Sequence, residues 1–151
     1  MQKRLFLTSL AVAAALCSPS AWSQEKFKIG LILPMTGPFA STGKQIEAAA
    51  KLYISQNGDM LAGKKVELIV KDDTSAPDVT KRIAQELVVN DKVSVLAGFG
   101  LTPLALATAP IATQSKTPLV VMAAATSSIT EASPFIIRTS FTLPQAAVAL
   151  A

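Results

Sequence analysis

The stretch TPLVVMAAATSSITEASPFIIRT, residues 117–139, decides the predicted fold. Its pattern predicts a buried strand at Leu119–Met122, a turn of small and hydroxyl-bearing residues at Ala123–Ser128, and a second strand at Phe135–Arg138. A strand this apolar needs cover on both faces, as in a parallel sheet flanked by helices. Ligands of open α/β sheets bind at the carboxyl ends of the strands, so the turn predicts a pocket for a small polar ligand.

The residues before this stretch alternate between strand and helix patterns. The predicted strands are Phe27–Leu33, Lys65–Lys71 and Val93–Phe99, and the predicted helices run from the Pro34–Thr42 loop to Asn57, from Pro77 to Asn90 and from Pro103 to Gln114. Helices of this length between strands imply right-handed crossovers. We therefore expect an α/β fold with a doubly wound parallel sheet, in the common strand order 2-1-3-4-5.

Helix starts are predicted from capping residues. The predicted caps are Thr42 with Gln45 and Thr142 with Gln145 as capping boxes, and Ser75 and Thr102 as single N-caps. Pro110 falls inside the third helix and should kink or split it, because proline lacks the backbone N–H that the helix needs. The last helix begins near Thr142, so the chain ends inside it, and this favours a fragment or one lobe of a longer protein.

The first 23 residues have the pattern of a signal peptide. Lys3 and Arg4 precede the apolar segment Leu5–Leu16, which is shorter than the about 20 residues of a membrane span. Ala21-Trp22-Ser23 fits a cleavage site, so we expect a mature chain from Gln24 and a periplasmic location. The predicted organisation is a signal peptide at 1–23 and one incomplete lobe at 24–151.

Composition excludes several classes of function. The sequence has no histidine and a single cysteine, Cys17, inside the predicted signal peptide, which removes the commonest general base and metal ligand and any disulfide. The formal charge of +4 falls to +2 without Lys3 and Arg4, and no basic stripe indicates nucleic-acid binding. Gly98-Phe99-Gly100 begins like a dinucleotide fingerprint, but Pro103 stands where the third glycine is needed. We expect no enzyme activity, no cofactor and no metal.

Three loops should meet beside the point where the strand order reverses, namely Pro34–Thr42, Gly98–Pro103 and Ala123–Ser128. The first two lead into helix N-termini, whose unpaired N–H groups suit a carboxylate. Thr126 is the strongest candidate because no helix is predicted to start at it. The candidate ligand contacts are Thr102, Ala124, Thr126, Thr42, Phe39 and Ser127.

Each candidate also has a structural interpretation. Thr102 and Thr42 are predicted caps, Ala124 offers backbone groups only, and Ser127 and Ser128 could satisfy their own backbone. Three further polar residues, Asp72, Asp73 and Arg138, are predicted mainly to stabilise the fold. Asp72 and Asp73 are interpreted as loop and cap residues, and Arg138 either pairs a ligand carboxylate or forms a structural salt bridge.

Three motifs in this order resemble a known family. KIGLILPMTGPFASTGKQ (28–45), VELIVKDDTSAPDVT (66–80) and 117–139 together resemble the N-terminal lobe of type I periplasmic solute-binding proteins of ABC transporters, in the branched-chain amino-acid branch. The resemblance implies two lobes that close on a ligand. It also implies that Thr102 contacts a carboxylate and that Ala124 and Thr126 contact the α-amino and carboxylate groups. Thr42 stands where leucine-binding members have an aromatic residue, and Ser75 where they have a disulfide cysteine.

The resemblance implies a solute-binding component that delivers a small-molecule ligand to a membrane permease. The expected ligand is a branched-chain amino acid, with aromatic or short-chain carboxylic acids as the alternative. We expect the complete protein to be monomeric and this lobe alone to bind weakly or not at all, because buried capture needs both sides of a cleft. A sensor domain, a secreted enzyme and an inactive fragment are the competing interpretations.

Overall fold

The alternating pattern produces a single mixed sheet with helices on both faces in the computed structural model, which describes residues 25–150. The strands are β1 (Phe27–Leu33), β2 (Met60–Leu61), β3 (Lys64–Asp72), β4 (Val95–Gly98), β5 (Leu119–Val121) and β6 (Ile136–Arg138). The helices are α1 (Ala40–Asn57), α2 (Pro77–Val89), α3 (Thr102–Ser115), a 3₁₀ helix (Ser127–Glu131) and α4 (Leu143–Val148). No helix in the described part of the chain is long and apolar enough to cross a membrane.

The sheet has the order β2-β3-β1-β4-β5-β6. All neighbouring strands are parallel except β2 and β3, which form a short antiparallel hairpin. Without β2, the order of the five predicted strands is 2-1-3-4-5, so the predicted doubly wound α/β fold is confirmed. The order reverses between β1 and β4, which places the crevice at the carboxyl ends of these strands.

The two faces of the sheet carry separate apolar clusters because successive strand residues point to opposite sides. Ile32, Leu96 and Leu119 pack with α2 and α3 in the larger cluster. Leu31 and Leu33 belong to a smaller cluster on the opposite face, where Ile46 and Ala50 of α1 pack. This packing fixes the strand ends, and with them the loops that follow.

Helix α1 begins earlier than the sequence predicts, so the capping box at Thr42 and Gln45 is wrong. Phe39 occupies the cap position, without a side-chain cap bond, and a turn from Gly37 leads directly into the helix. Gly43 then lies against the first loop, since a Cβ there would stand 2.2 Å from the carbonyl oxygen of Pro34. Only glycine fits at position 43 of this first helical turn, because any side chain there would overlap the Pro34 carbonyl.

The predicted cap at Ser75 is also wrong, because Ala76 occupies the cap position of α2. Thr74 and Ser75 adopt left-handed φ angles of 51° and 59°. Their N–H groups donate to Asp72 Oδ1 at 2.9 Å and Asp73 Oδ1 at 2.8 Å. The two aspartates therefore fold their side chains back onto the loop, in agreement with their predicted loop role.

The later helices follow the predictions more closely. Helix α3 continues through Pro110, so the predicted split is wrong, whereas the alternative kink stays a prediction. Ala109, Ile111 and Ala112 pack into the core around Pro110. The predicted N-cap at Thr102 is wrong, because Thr102 is the first residue of α3 and Leu101 occupies the cap position. The capping box of Thr142 and Gln145 at the start of α4 is confirmed.

Candidate ligand-binding site

The first two candidate loops are in direct contact at the carboxyl edge of the sheet. Gly98 ends β4 with φ at 117°, and a Cβ there would stand 2.1 Å from the carbonyl oxygen of Ile32. Phe99 follows with its N–H bonded to that same oxygen at 3.0 Å. A Cβ on Gly100 would lie 3.1 Å from Cγ of Pro34. Close backbone approach thus joins the loop after β4 to the loop after β1.

The third loop continues alongside the second. The N–H of Met122 donates to the Gly98 oxygen at 2.8 Å, and the N–H of Ala124 donates to the Phe99 oxygen at 3.0 Å. These bonds extend the β4–β5 pairing past the end of β5. The three loops that the sequence selects therefore form one continuous edge.

Thr102 and Thr126 meet on this edge, with their hydroxyl oxygens 2.7 Å apart and both residues half-buried. A hydroxyl has one donor and two acceptor lone pairs. When one hydroxyl donates to the other, the pair retains one O–H that can donate to a third group. The pair sits at the N-terminus of α3, where the helix dipole favours negative charge. This arrangement can bind a carboxylate oxygen.

Thr126 also precedes the 3₁₀ helix Ser127–Glu131, so the expectation that no helix starts after it is wrong. A serine- and threonine-rich turn of this length carries no clear helical period, which is why the sequence does not reveal it. The hydroxyl of Thr126 makes no cap bond and bonds to Thr102 instead. Ser127, the first residue of the 3₁₀ helix, is exposed.

Ala124 is buried, with 3% of its surface exposed. Its N–H donates to Phe99, and its carbonyl accepts a hydrogen bond from Nη1 of Arg138. Any ligand contact by Ala124 must therefore use the second lone pair of its carbonyl oxygen.

Arg138 does not form the predicted salt bridge to any acidic residue that the structure describes. Its guanidinium donates to two carbonyl oxygens, through Nη1 to Ala124 and through Nη2 to Thr126. The prediction of a structural salt bridge is wrong because the side chain finds backbone acceptors at the end of the neighbouring strand. Sequence reasoning missed this role, which no local motif encodes.

Phe39 and Thr42 lie at the start of α1, on the side of the first loop. Phe39 is 44% exposed, and Thr42 is half-buried within the first turn. Among residues 25–150, no hydrogen bond joins the Thr42 hydroxyl to the threonine pair. Their roles as ligand contacts stay predictions, as do those of the other candidate residues.

Asp72 organises the first loop, a function that the sequence did not reveal. Its carboxylate accepts hydrogen bonds from the N–H of Met35 at 2.9 Å and from the hydroxyl of Thr36 at 2.7 Å. Partial burial pushes the pKa of Asp72 upward, but the bonds from Thr36, Thr74 and Met35 outweigh it and hold this pKa below its usual value. The ionised carboxylate thus fastens the loop after β1 to the end of β3.

Asp73 contrasts with its neighbour. It is fully buried, and its Oδ2 has no hydrogen-bond partner. Burial raises the pKa of the Asp73 carboxyl, the bond from the Ser75 N–H lowers it only in part, and the charge of Asp72 adds to the rise. The two adjacent aspartates therefore differ in how readily they ionise.

Outside the Thr102–Thr126 pair, the described residues contain an apolar cavity but no candidate metal site. No group of three His, Cys, Asp or Glu side chains between residues 25 and 150 could hold a metal. A cavity of about 320 Å³ lies at the opposite end of the sheet, between the end of α1 and the β2–β3 hairpin. Ile29, Tyr53, Ile54, Met60 and Leu68 are among its lining residues, and it is mainly apolar.

Comparison with known proteins identifies the fold. The family described as periplasmic binding protein matches residues 26–151. A Leu/Ile/Val-binding protein homolog 6 of Brucella abortus is 43% identical over 150 residues, which are 99% of this chain and 38% of that protein.

The solved structures similar to this chain include two solute-binding proteins in complex with aromatic acids. A solute-binding protein of an ABC transporter from Rhodopseudomonas palustris BisB5, in complex with 3,4-dihydroxybenzoic acid, has a TM-score of 0.79 and 68% identity. A second, from Rhodopseudomonas palustris HaA2 in complex with p-hydroxybenzoic acid, has a TM-score of 0.77 and 45% identity. The alignments cover 80% and 83% of this chain and 33% and 36% of those proteins, respectively.

The matched part of this chain thus spans 33–38% of the length of these relatives. The predicted resemblance to periplasmic solute-binding proteins is confirmed, whereas the predicted signal peptide at 1–23 lies outside the described residues. The family match, the strand order and the shared sequence agree, and this chain belongs to the periplasmic binding protein family.

Proposed function

We propose that this chain is the N-terminal lobe of an extracytoplasmic solute-binding component of an ABC importer, and that its ligand is a hydroxylated aromatic carboxylate. The observation that carries the ligand class is the 68% identical solute-binding protein in complex with 3,4-dihydroxybenzoic acid. The 45% identical protein in complex with p-hydroxybenzoic acid supports the same class. The aromatic-acid alternative is thereby favoured over the expected branched-chain amino acid.

The geometry of the edge supports carboxylate binding. The O–H that remains on the Thr102–Thr126 pair can donate to a carboxylate oxygen, and α3 directs the positive end of its dipole to the same place. An aromatic ring would then lie toward the first loop, where Phe39 is exposed and Thr42 leaves more room than an aromatic side chain. In this proposal Ala124 and Ser127 complete the contacts through backbone and hydroxyl groups.

A branched-chain amino acid is the second candidate, supported by the name of the 43% identical Brucella protein. The two ligands share a carboxylate and differ in the ammonium group. Since the threonine pair can bind either carboxylate, the remaining contacts must discriminate between them.

The partners are also part of the proposal. We infer a periplasmic location after removal of residues 1–23, a second lobe from a polypeptide of the relatives' length, and delivery of the ligand to a membrane permease. Binding to this lobe alone should be weak, because only one side of the cleft encloses the ligand.

A competition experiment tests the ligand class. Saturation-transfer NMR on residues 24–151 detects weak ligands, and we expect signals from 3,4-dihydroxybenzoate and 4-hydroxybenzoate with dissociation constants on the order of millimolar. Leucine should not displace them at equal concentration. Displacement by leucine would favour the amino-acid candidate, and the absence of all signals would contradict carboxylate binding by this lobe.

A further inference from the structure

We propose that Arg138 is a positioning residue that sets the orientation of the turn 124–127, so that the backbone N–H groups of Ala125 and Ser127 face the bound carboxylate. The inference rests on the proposed function, because it concerns how that site recognises its ligand. It extends the site to a residue on β6 that does not itself touch the ligand.

The fork of Arg138 spans the turn. Nη1 and Nη2 of one planar guanidinium donate to the carbonyl oxygens of Ala124 and Thr126, two residues apart. A rigid group with two parallel donors restrains both carbonyls at once, which a lysine ammonium does not do. The remaining carbonyl between them, that of Ala125, accepts from the N–H of Leu143 at 2.9 Å. All three peptide oxygens of the turn are thus held by the protein.

The orientation of the carbonyls determines the orientation of the N–H groups. In a planar trans peptide, the C=O of one residue and the N–H of the next point in opposite directions. The N–H groups of Ala125 and Ser127 therefore point away from Arg138, and that of Thr126 points away from Leu143. None of these three N–H groups has an acceptor among residues 25–150. The N–H groups of Ala125 and Ser127 share one direction, and they are donors on the turn that an anion can use.

The charge of Arg138 adds to this effect. The residue is half-buried, and no carboxylate in the described residues lies within salt-bridge distance of it. Its charge is therefore not neutralised by a neighbour and favours an anion at the far side of the turn. A charged donor on a carbonyl also polarises the peptide and strengthens the hydrogen bond that its N–H donates.

Two variants of Arg138 distinguish the effect of its bidentate hydrogen bonds on ligand affinity from the effect of its charge. Arg138→Lys keeps the charge and loses the bidentate fork, whereas Arg138→Gln loses both. The matched control is Lys81→Gln, which removes an exposed charge on α2. Affinity is measured for 3,4-dihydroxybenzoate and for its neutral analogue 3,4-dihydroxybenzamide, and the backbone amide signals of Ala125, Thr126 and Ser127 are followed without ligand.

We expect Arg138→Lys to bind the carboxylate about tenfold more weakly because it loses the bidentate contact, and Arg138→Gln to bind it more weakly still because it also loses the charge. Arg138→Lys should retain the preference for carboxylate over carboxamide, Arg138→Gln should lose most of it, and Lys81→Gln should change neither. The amide signals of the turn should move in both Arg138 variants. Wild-type affinity in both variants, or unmoved turn signals in Arg138→Lys, would overturn the inference.

The ligand-free measurements keep the two proposals distinguishable. If the wild-type chain binds no ligand, carboxylate binding by this lobe is contradicted, while the turn signals still decide whether Arg138 orients the turn. If both Arg138 variants unfold, a measurement on the wild type tests whether Arg138 holds the two carbonyl oxygens. Its Arg138 Nη protons should exchange slowly with solvent because they are hydrogen-bonded, and rapid exchange would contradict the fork.

Discussion

The hydroxyl oxygens of Thr102 and Thr126 lie 2.7 Å apart, although the two residues are 24 positions apart in the chain. Thr102 begins α3 after β4, and Thr126 follows β5. Parallel neighbouring strands end at the same edge, so the topology alone brings these residues together. Their contact is the centre of the candidate site.

Removing the hydroxyl of Thr126 should weaken ligand binding without unfolding the protein. Valine has nearly the shape of threonine, so Thr126→Val removes the hydroxyl at this half-buried position without leaving a cavity. We expect about a tenfold loss in affinity for 3,4-dihydroxybenzoate, measured by ligand-observed NMR. Thr130→Val, on the exposed side of the same 3₁₀ helix, is the matched control. Equal affinity of the two variants would exclude Thr126 from the site.

Asp72 should stabilise the first loop. Asp72→Ala removes the acceptor for Met35, Thr36 and Thr74, and we expect a loss of about 1–3 kcal/mol in the free energy of unfolding, measured by urea denaturation. Asp72→Asn keeps one side-chain oxygen and should cost less. If the alanine variant were as stable as the wild type, the loop would not depend on this carboxylate.

The adjacent aspartates should give opposite pH dependences of stability. The pKa of Asp73 is raised by burial, so the folded protein binds its proton more tightly than the unfolded chain, and the stability contribution of Asp73 rises as the pH falls below its folded-state pKa. Asp72 has a lowered pKa, and its contribution, complete above the unfolded-state pKa, is lost as the pH falls through the folded-state pKa.

Urea denaturation between neutral and acidic pH tests whether the two aspartates change the free energy of unfolding in opposite directions. Relative to Asp73→Asn, the wild type should gain stability as the pH is lowered, and relative to Asp72→Asn it should lose stability. Slopes of the same sign for both pairs would contradict the assignment of the two carboxyl groups.

Gly98 should be intolerant of substitution. Gly98→Ala places a Cβ 2.1 Å from the Ile32 oxygen at a φ of 117°, and we expect destabilisation of about 3 kcal/mol or more, by thermal or urea unfolding. Gly37→Ala is the control, since its φ is 76° and its Cβ would meet nothing within 4 Å, so only the strain of about 1–2 kcal/mol applies. Similar losses of stability in both variants would show that the contact between Gly98 and the Ile32 carbonyl does not make Gly98→Ala more destabilising than backbone strain alone.

The fold could be predicted largely from periodic apolar segments. Strand β1 has the predicted bounds because FKIGLIL is mainly apolar, with Lys28 as its only charged residue, and Pro34 follows its last residue. The β2–β3 hairpin was missed, since Met60–Leu61 is too short to show a period and its turn places Ala62 at a φ of 49°. Alanine rarely adopts that conformation, so the residue gave no turn signal.

The contact of Thr102 with Thr126 could be predicted because it follows from strand order. The contacts that shape the loops could not. Asp72 reaches Met35 across 37 positions, and Arg138 reaches back to Ala124 across 14, in both cases from a side chain to a backbone atom. Such contacts depend on the distances between strand ends, which the sequence pattern does not specify.

Amide chemical-shift mapping with 3,4-dihydroxybenzoate on ¹⁵N-labelled residues 24–151 tests the central claim most directly. The largest shifts should fall at Thr102, Ala125, Thr126 and Ser127, and leucine at the same concentration should cause smaller ones. Shifts concentrated at Tyr53 and Met60, beside the apolar cavity at the other end of the sheet, would contradict the account, as would larger shifts with leucine.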